Sequence, residues 1–221
     1  FDGSDFITDL ATAHEVAQTI GFPLVVKPSG GGGGMGMQVV EQMDALESAL
    51  TQAQAVAAAA FGSSDVYLER WIARPRHIEY QILADEHGNA MHLYERECSI
   101  QRRHQKLIEE SPAPGIDASL LREQAERGAE ICARLGYNNV GTLETLYSDG
   151  SSGFLEMNTR IQVEHGVTEE VTGVDLVQQQ ILLAAGGRLP EPAELSGHAI
   201  EVRLYAEDSQ TLMPSTGVLR I

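Results

Sequence analysis

The stretch Lys27-Pro28-Ser29-Gly30-Gly31-Gly32-Gly33-Gly34-Met35-Gly36 decides how the first part of the chain is interpreted. Six of its last seven residues are glycine, and such a run costs folding entropy, so it needs a specific reason. Without Cβ atoms, backbone N–H groups can close around phosphate oxygens, and Lys27 can add a positive charge. A flexible linker is the alternative, but apolar strands predicted at residues 23–27 and 37–40 make the connection tight. The stretch therefore predicts a phosphate-binding loop between two strands.

A second pattern runs along residues 156–164, where polar side chains occupy the even positions. If this segment is extended, one face packs and the other carries five polar groups in a row. Glu144 and Glu156 lie equally far from Gly150, so a hairpin symmetric about that glycine places their Cβ atoms about 5 Å apart. Facing carboxylates repel unless a cation bridges them, and Asn158 adds an oxygen donor. An ordinary solvent-facing strand is the alternative to this predicted Mg²⁺ or Mn²⁺ site.

The third feature is the basic stretch at residues 97–106, Glu-Cys-Ser-Ile-Gln-Arg-Arg-His-Gln-Lys, in an otherwise acidic chain. Lys and Arg number 15 against 32 Asp and Glu, which gives a net charge of −17. A cationic stretch in this context favours capture of a small anion such as phosphate, carboxylate or bicarbonate. A solvated basic loop is the alternative.

Composition excludes several classes of protein. The 221 residues and their 43% apolar content suffice for a sizeable core. The acidic balance argues against nucleic-acid binding, and no apolar run approaches the roughly 20 residues of a membrane span. Cys98 and Cys132 are isolated in sequence, which favours reduced thiols and a cytoplasmic location.

The spacing of apolar residues and turn signals predicts an α+β fold with a glycine-rich lid and a larger mixed or antiparallel sheet. Helices are predicted at residues 9–20, 44–60, 118–135 and 175–185. Beyond the two strands that flank the glycines, strands are predicted at residues 66–70, 76–83, 91–95, 140–147, 154–163 and 198–205. The pattern also favours a ligand held between two lobes.

Three of these motifs closely resemble the biotin carboxylases, which are the ATP-grasp components of biotin-dependent carboxylases. The matching stretches are residues 27–36, 95–106 and 156–165, and Gly197–Arg203 and Ala206–Asp208 match as well. The resemblance implies that ATP and bicarbonate form carboxyphosphate, and that its CO₂ is placed on N1′ of carrier-bound biotin. An acyl-CoA carboxylase component is expected. A urea or pyruvate carboxylase component, a carbamoyl-phosphate synthetase-like ligase and a non-catalytic nucleotide-binding fragment remain the alternatives.

The resemblance also implies a role for each matching residue. The ATP-binding residues are Lys27, Gly31, Gly32, Gly33, Gly34, Glu69, Ile72, His77, Gln101 and His104. The bicarbonate-binding residues are Lys106, Arg160, Gln162 and Val163. The ligands of two Mg²⁺ or Mn²⁺ ions are Glu144, Glu156 and Asn158. The catalytic residues are Glu164 as the base that deprotonates bicarbonate, Arg203 as the group that stabilises the biotin enolate, Arg160 and Lys106.

The resemblance covers residues 1–221 as an ATP-grasp region, with a lid subdomain at about residues 8–70 and a metal- and bicarbonate-binding lobe at about 71–221. It implies an N-terminal domain before Phe1 and a C-terminal domain after Ile221, neither of which is within the 221 residues. The implied partners are a biotin carboxyl carrier domain, a carboxyltransferase component and further copies of the same chain. Met35 replaces a basic residue often found there, and Gly166 replaces a proline.

Overall fold

The structure is a computed structural model that describes residues 3–30, 34–208 and 210–218. The chain divides into two compact units. One comprises Phe1–His77 with Leu143–Asn158, and the other comprises Ile78–Thr142 with Thr159–Ile221. Gly31, Gly32 and Gly33 of the predicted phosphate loop lie outside the described residues.

The first unit contains a small antiparallel sheet and two helices. Its strands β1 (Leu24–Pro28), β2 (Gln38–Val40) and β3 (Val66–Arg70) lie in the order β2-β1-β3. Helix α1 (Leu10–Ile20) begins at Asp9, whose carboxylate accepts a hydrogen bond from the Thr12 N–H at 2.8 Å, and α2 spans Leu46–Phe61. Alanines at every fourth position of the helices, and leucines and valines of the strands, form one apolar core. The glycine stretch thus connects two antiparallel neighbours, as the sequence predicts.

The second unit is organised around an antiparallel sheet in which β4, β5, β6 and β9 are successive neighbours. These strands span Arg76–Ala84, Ala90–Arg102, Gln105–Ser111 and Ala199–Val202, and the helices α3, α4 and α5 span Ala118–Arg134, His165–Thr172 and Leu176–Ala184. Strands β7 (Asn139–Ser148) and β8 (Ser151–Asn158) carry the chain between the two units. No helix among the described residues is long and apolar enough to cross a membrane.

The basic stretch forms most of a hairpin and is not an irregular loop. Gln101 pairs with Lys106, and Arg102 pairs with Gln105. Only Arg103 and His104 form the turn, and both have a positive φ, of 51° and 65°. The hairpin places the two ends of the basic stretch on adjacent strands. Its second strand, β6, was not predicted from the sequence.

The predicted strand at residues 154–163 is wrong in its second half. Strand β8 ends at Asn158, and α4 begins at His165, with Glu164 as its N-cap residue. The backbone N–H groups of His165 and Val167 donate to the carbonyls of Gln162 and Glu164, so this segment turns into a helix. The polar residues from Arg160 onward therefore do not continue the face of a strand.

The hairpin turn before β8 also differs from the predicted one. Asp149 and Gly150 alone form the turn, with φ of 50° and 81°. A regular hairpin closed by two residues pairs residue 144 with 155, so its centre lies beside Gly150 and not on it. The symmetric pairing expected for Glu144 and Glu156 therefore does not follow from this turn.

Backbone conformation and lack of space both favour glycine at position 36, the last glycine of the stretch. Its φ is +77°, and a Cβ there would lie 2.9 Å from Val56 Cγ1 and 3.0 Å from Pro28 Cγ. Gly62, which ends α2, has the similar φ of +76° but open space where a Cβ would lie. A side chain at either position would strain the left-handed backbone. At position 36 it would also clash with neighbouring atoms.

We therefore expect Gly36→Ala to lower the free energy of unfolding by about 2–4 kcal/mol, as left-handed strain and overpacking add. Gly62→Ala, the matched control, should cost only about 1–2 kcal/mol. Urea denaturation of both variants measures the difference. Equal losses would show that the close approach to Val56 and Pro28 is unimportant.

Candidate functional site

Six ionic side chains of alternating sign contact one another in the second unit. They are, in order, Arg96, Glu79, Lys106, Glu164, Arg203 and Glu109, and we call them the ionic ladder. Three cations therefore face three carboxylates. An arrangement of this kind keeps every buried charge next to a charge of opposite sign.

The contacts along the ionic ladder are short. Arg96 Nε donates to Glu79 Oε1 at 2.6 Å, and Lys106 Nζ donates to the other oxygen of Glu79. Lys106 Nζ also donates to Glu164 Oε1 at 2.6 Å. Arg203 reaches the second Glu164 oxygen through NH2 at 2.7 Å, and its Nε lies 2.6 Å from Glu109 Oε1. Glu164 is thus held between two cations, one at each carboxylate oxygen.

Strand pairing explains why residues so distant in sequence meet. Glu79 on β4 lies directly opposite Arg96 on β5. Lys106 and Glu109 both belong to β6, and Arg203 follows β9, which pairs with β6. The Arg203 N–H donates to the Leu107 carbonyl at 2.9 Å, which continues that pairing by one residue. Three adjacent strand pairs therefore bring five of the six residues together.

Burial makes the charge balance of the ionic ladder essential. Arg96, Glu79 and Glu109 are completely buried, and Glu164 is 2% exposed. A buried charge without a partner costs several kcal/mol, so each carboxylate requires a cation. Burial raises the pKa of Glu109, while Arg203 opposes that change. Burial alone would lower the pKa of Arg203, but Glu164 and Glu109 raise it above its usual range.

Sequence reasoning missed Glu79, Arg96 and Glu109. Glu79 alone had a partial signal, because it interrupts an apolar stretch, Ile78-Glu79-Tyr80-Gln81-Ile82-Leu83-Ala84, but nothing in that stretch identifies its partner. Cys98 was not assigned to the site either, although its sulfur lies within 4.8 Å of Glu79 and Glu164 carboxylate oxygens. Burial raises the pKa of this thiol well above its usual value, and both cysteines are free thiols.

The predicted bicarbonate residues lie in the segment between β8 and α4. Arg160 and Val163 are exposed, and Gln162 is buried. Arg160 NH1 donates to the carbonyl of Ile161 at 3.3 Å. This segment leads directly to Glu164, so three candidate anion-binding residues precede the candidate base within four positions.

Two of the predicted nucleotide residues belong to the β5–β6 hairpin. His104 is exposed at its turn, and Gln101 donates to the Cys98 carbonyl at 2.8 Å.

In the first unit, Lys27 Nζ donates to Glu69 Oε2 at 2.9 Å and lies 5.4 Å from the centre of the Tyr67 ring. Burial lowers the pKa of Lys27, but Glu69 and Tyr67 together raise it above its usual value. Ile72 is half-buried just after β3.

Two of the predicted metal ligands contact each other in the first unit. Asn158 Nδ2 donates to Glu144 Oε1 at 3.0 Å, and His77 Nε2 lies 3.0 Å from Glu144 Oε2. A carboxylate and a side-chain amide on neighbouring strands are suited to a hard cation such as Mg²⁺. Glu156 is half-buried on the same strand as Asn158, and its shared site with Glu144 remains a prediction.

The sequence of the chain matches one protein-family model and the sequences of biotin-dependent carboxylases. Residues 2–192 match the family described as "Carbamoyl-phosphate synthase L chain, ATP binding domain". Biotin carboxylase from Haemophilus influenzae is 52% identical over 95% of this chain and 47% of its own length. A pyruvate carboxylase component from Methanothermobacter thermautotrophicus is 50% identical over 91% of this chain and 42% of its own length.

A solved structure agrees with these sequence matches. The biotin carboxylase domain of the Hydrogenobacter thermophilus 2-oxoglutarate carboxylase, in complex with MgADP, ADP and bicarbonate, superposes with a TM-score of 0.89 at 42% identity. The match covers 96% of this chain and 48% of that one. The chain thus spans about half the length of each of these three relatives.

Lys106 offers a direct test of the ionic ladder. Lys106→Met removes the cation shared by two buried carboxylates, so we expect the free energy of unfolding to fall by about 3 kcal/mol. Arg134→Met is the matched control, since its pair with Glu130 is 3.6 Å long and both side chains are at least 70% exposed. That control should change stability by less than about 1 kcal/mol. Similar urea midpoints for the two variants would contradict the assigned importance of Lys106.

Proposed function

The chain belongs to the family of carbamoyl-phosphate synthase L chain ATP-binding domains, and we propose that it is the ATP-grasp region of a biotin carboxylase. Two relatives named biotin carboxylase are 52% and 54% identical to it in sequence. The protein that contains it would use ATP and bicarbonate to carboxylate biotin on a carrier protein. The observation that carries this proposal is the buried Glu164 carboxylate, held by Lys106 at one oxygen and Arg203 at the other.

Formation of carboxyphosphate requires that bicarbonate lose a proton as its oxygen attacks the γ-phosphorus of ATP and ADP departs. Glu164 accepts that proton in our proposal. Its contacts with Lys106 and Arg203 fix the direction of the carboxylate before the anion binds, and such positioning, together with electrostatic stabilisation, accounts for most of the catalysis of phosphoryl transfer. Arg160, Gln162 and Val163 would surround the bicarbonate.

Carboxyphosphate then breaks down to CO₂ and phosphate, the phosphate accepts the proton of the biotin N1′–H group, and the deprotonated N1′ attacks the CO₂. Biotin becomes nucleophilic when negative charge develops on its urea oxygen, which a guanidinium can stabilise in the manner of an oxyanion hole. Arg203 would supply that guanidinium. Glu109 supports this role, because its carboxylate lies against Arg203 Nε and leaves the opposite end of the guanidinium directed toward Glu164.

The nucleotide would be bound by the predicted ATP-binding residues, which include Lys27 and glycines of the glycine loop. Glu144 and Asn158, with Glu156, would hold Mg²⁺ or Mn²⁺, which neutralises charge on the phosphate oxygens when bound. The contact between Glu144 and Asn158 supports this assignment. The pair of Lys27 with Glu69 keeps the ammonium ordered at the end of β1, next to the glycine loop.

The final carboxyl acceptor is assigned by none of these residues. Relatives of similar identity are named as biotin carboxylases and as a component of a pyruvate carboxylase. We propose an acyl-CoA carboxylase as the parent complex, with a biotin carboxyl carrier domain and a carboxyltransferase component as partners, and a homo-oligomeric assembly. The Arg-Arg-His sequence within the basic stretch resembles acyl-CoA enzymes and supports that choice, whereas Gly166 resembles urea carboxylases.

Glu164→Gln tests the proposed base. In the full-length protein we expect bicarbonate-dependent ATP cleavage to fall by at least about 100-fold, since the amide accepts no proton. The dissociation constant of Mg-ATP, measured by isothermal titration, should change by less than about twofold, because the substitution leaves the nucleotide contacts intact. Glu170→Gln, on the exposed side of the same helix, is the control. Full ATP cleavage by Glu164→Gln would disprove the assignment.

Glu144→Gln tests the proposed metal site independently. Replacing one carboxylate oxygen should raise the Mg²⁺ concentration for half-maximal ATP cleavage by roughly tenfold, as a ligand charge is lost. Asp149→Asn removes an equal charge from the exposed turn nearby and should leave that concentration unchanged. An unaltered Mg²⁺ requirement in Glu144→Gln would exclude Glu144 as a ligand.

A further inference from the structure

Arg96 is the inner end of the ionic ladder and the most enclosed of its members. Its side chain is completely buried and is among the largest such side chains in the described part of the chain. Beyond Glu79, its NH1 donates to Gln81 Oε1 and to Thr168 Oγ1, both at 2.8 Å, and its NH2 donates to Thr142 Oγ1 at 3.3 Å. One guanidinium therefore ties β4, β7 and α4 together.

We propose that Arg96, together with Thr168, is a positioning pair for the proposed base Glu164. This inference rests on the proposed function, which assigns proton transfer to Glu164. Neither residue touches a substrate in the proposal. Arg96 instead fixes the two supports on which Glu164 depends, namely the carboxylate of Glu79 and the helix α4.

The first support runs through Lys106. Glu79 presents one oxygen to Arg96 and the other to Lys106, so the orientation of its carboxylate is set from both sides. Lys106 in turn donates to Glu164 Oε1 at 2.6 Å. Without the guanidinium, Glu79 could rotate toward a different partner, and Lys106 would follow it away from Glu164.

The second support runs through the helix. Thr168 lies four residues after Glu164, the N-cap residue of α4, and is therefore one turn into the helix that follows Glu164. Both are buried, and Thr168 is completely so. The hydrogen bond from Arg96 to the Thr168 hydroxyl therefore fixes the rotation of α4 about its axis. That rotation sets where the Glu164 carboxylate lies.

A purely structural role would not need these particular groups. A buried ion pair can often be replaced by apolar side chains with no loss of stability. The guanidinium fork is the one side chain whose donors can reach Glu79, Gln81, Thr142 and Thr168 simultaneously, which a single ammonium cannot do. A displacement of about 1 Å at a catalytic group can cost about 100-fold in rate, so the positioning is expected to appear in the rate of catalysis.

The test compares Thr168→Val, Thr168→Ser and Arg96→Lys in the full-length protein. Thr168→Val keeps the shape and removes the hydroxyl, whereas Thr168→Ser keeps the hydroxyl. Titration with Mg-ATP gives both the dissociation constant and the fraction of molecules that bind, so kcat for bicarbonate-dependent ATP cleavage is expressed per competent site. Arg127→Lys and Thr51→Val, both exposed, are the controls.

We expect Thr168→Val and Arg96→Lys to lower kcat per competent site by about tenfold or more, with the Mg-ATP dissociation constant within about twofold. Thr168→Ser should restore kcat to within about twofold of the wild type. A lower binding fraction with normal kcat per site would show a structural role and overturn the inference. If Arg96→Lys does not fold, the Thr168 pair alone decides between these outcomes.

The proposed function and the positioning pair would fail in different ways. A wild-type protein without bicarbonate-dependent ATP cleavage would refute the proposed function itself. An active wild type, with Thr168→Val equal to Thr168→Ser, would refute only the positioning pair and leave the proposed base in place.

Discussion

Three buried carboxylates are paired in the second unit with the buried cations Arg96 and Lys106 and with the partly exposed Arg203, and this pairing is the constraint on which the arrangement of its site depends. Glu79, Glu164 and Glu109 lose nearly all contact with water, and each is stable there only because a cation lies within hydrogen-bond distance. The alternation of sign leaves no like charges as direct neighbours along the ionic ladder. Removing any inner member would therefore leave at least one buried charge with too few partners.

The antiparallel sheet makes this pairing possible. Cross-strand neighbours such as Glu79 and Arg96 have their Cβ atoms about 5 Å apart, which suits a direct ion pair between long side chains. Strand β9 brings Arg203 to the edge of β6 from a distant part of the chain. Glu164, the N-cap residue of α4, comes from outside the sheet. A rigid sheet and one helix terminus thus hold a set of groups that loops could not position as closely.

Local signals in the sequence predicted much of the fold. The helix predicted at residues 9–20 matches α1 to within one residue at its start, and β3 was predicted with the bounds that it has. The α+β class with antiparallel sheets is confirmed, as is the similarity to biotin carboxylases. Each of these features depends on residues within a few positions of one another, or on motifs that are contiguous in sequence.

The errors came from features that depend on distant residues. The alternation of polar residues at 156–164 predicted a continuous strand, but β8 ends at Asn158 and the chain then turns into α4, which begins at His165. The roles of Arg96, Glu79 and Glu109 depend on the register between strands, which no local pattern encodes. The predicted catalytic residues Lys106, Glu164 and Arg203 do meet, yet the residues that hold them in place were not apparent from the sequence.

In our proposal the ionic ladder holds a base, Glu164, that activates bicarbonate to attack ATP. Oxygen transfer tests it most directly: the full-length protein is incubated with Mg-ATP, biotin and bicarbonate labelled with ¹⁸O, and the phosphate released is examined by mass spectrometry. Attack by a bicarbonate oxygen predicts one ¹⁸O atom in each phosphate, because the bridging oxygen stays on phosphorus when carboxyphosphate breaks down. Phosphate that carries only oxygen from ATP and water would contradict this mechanism.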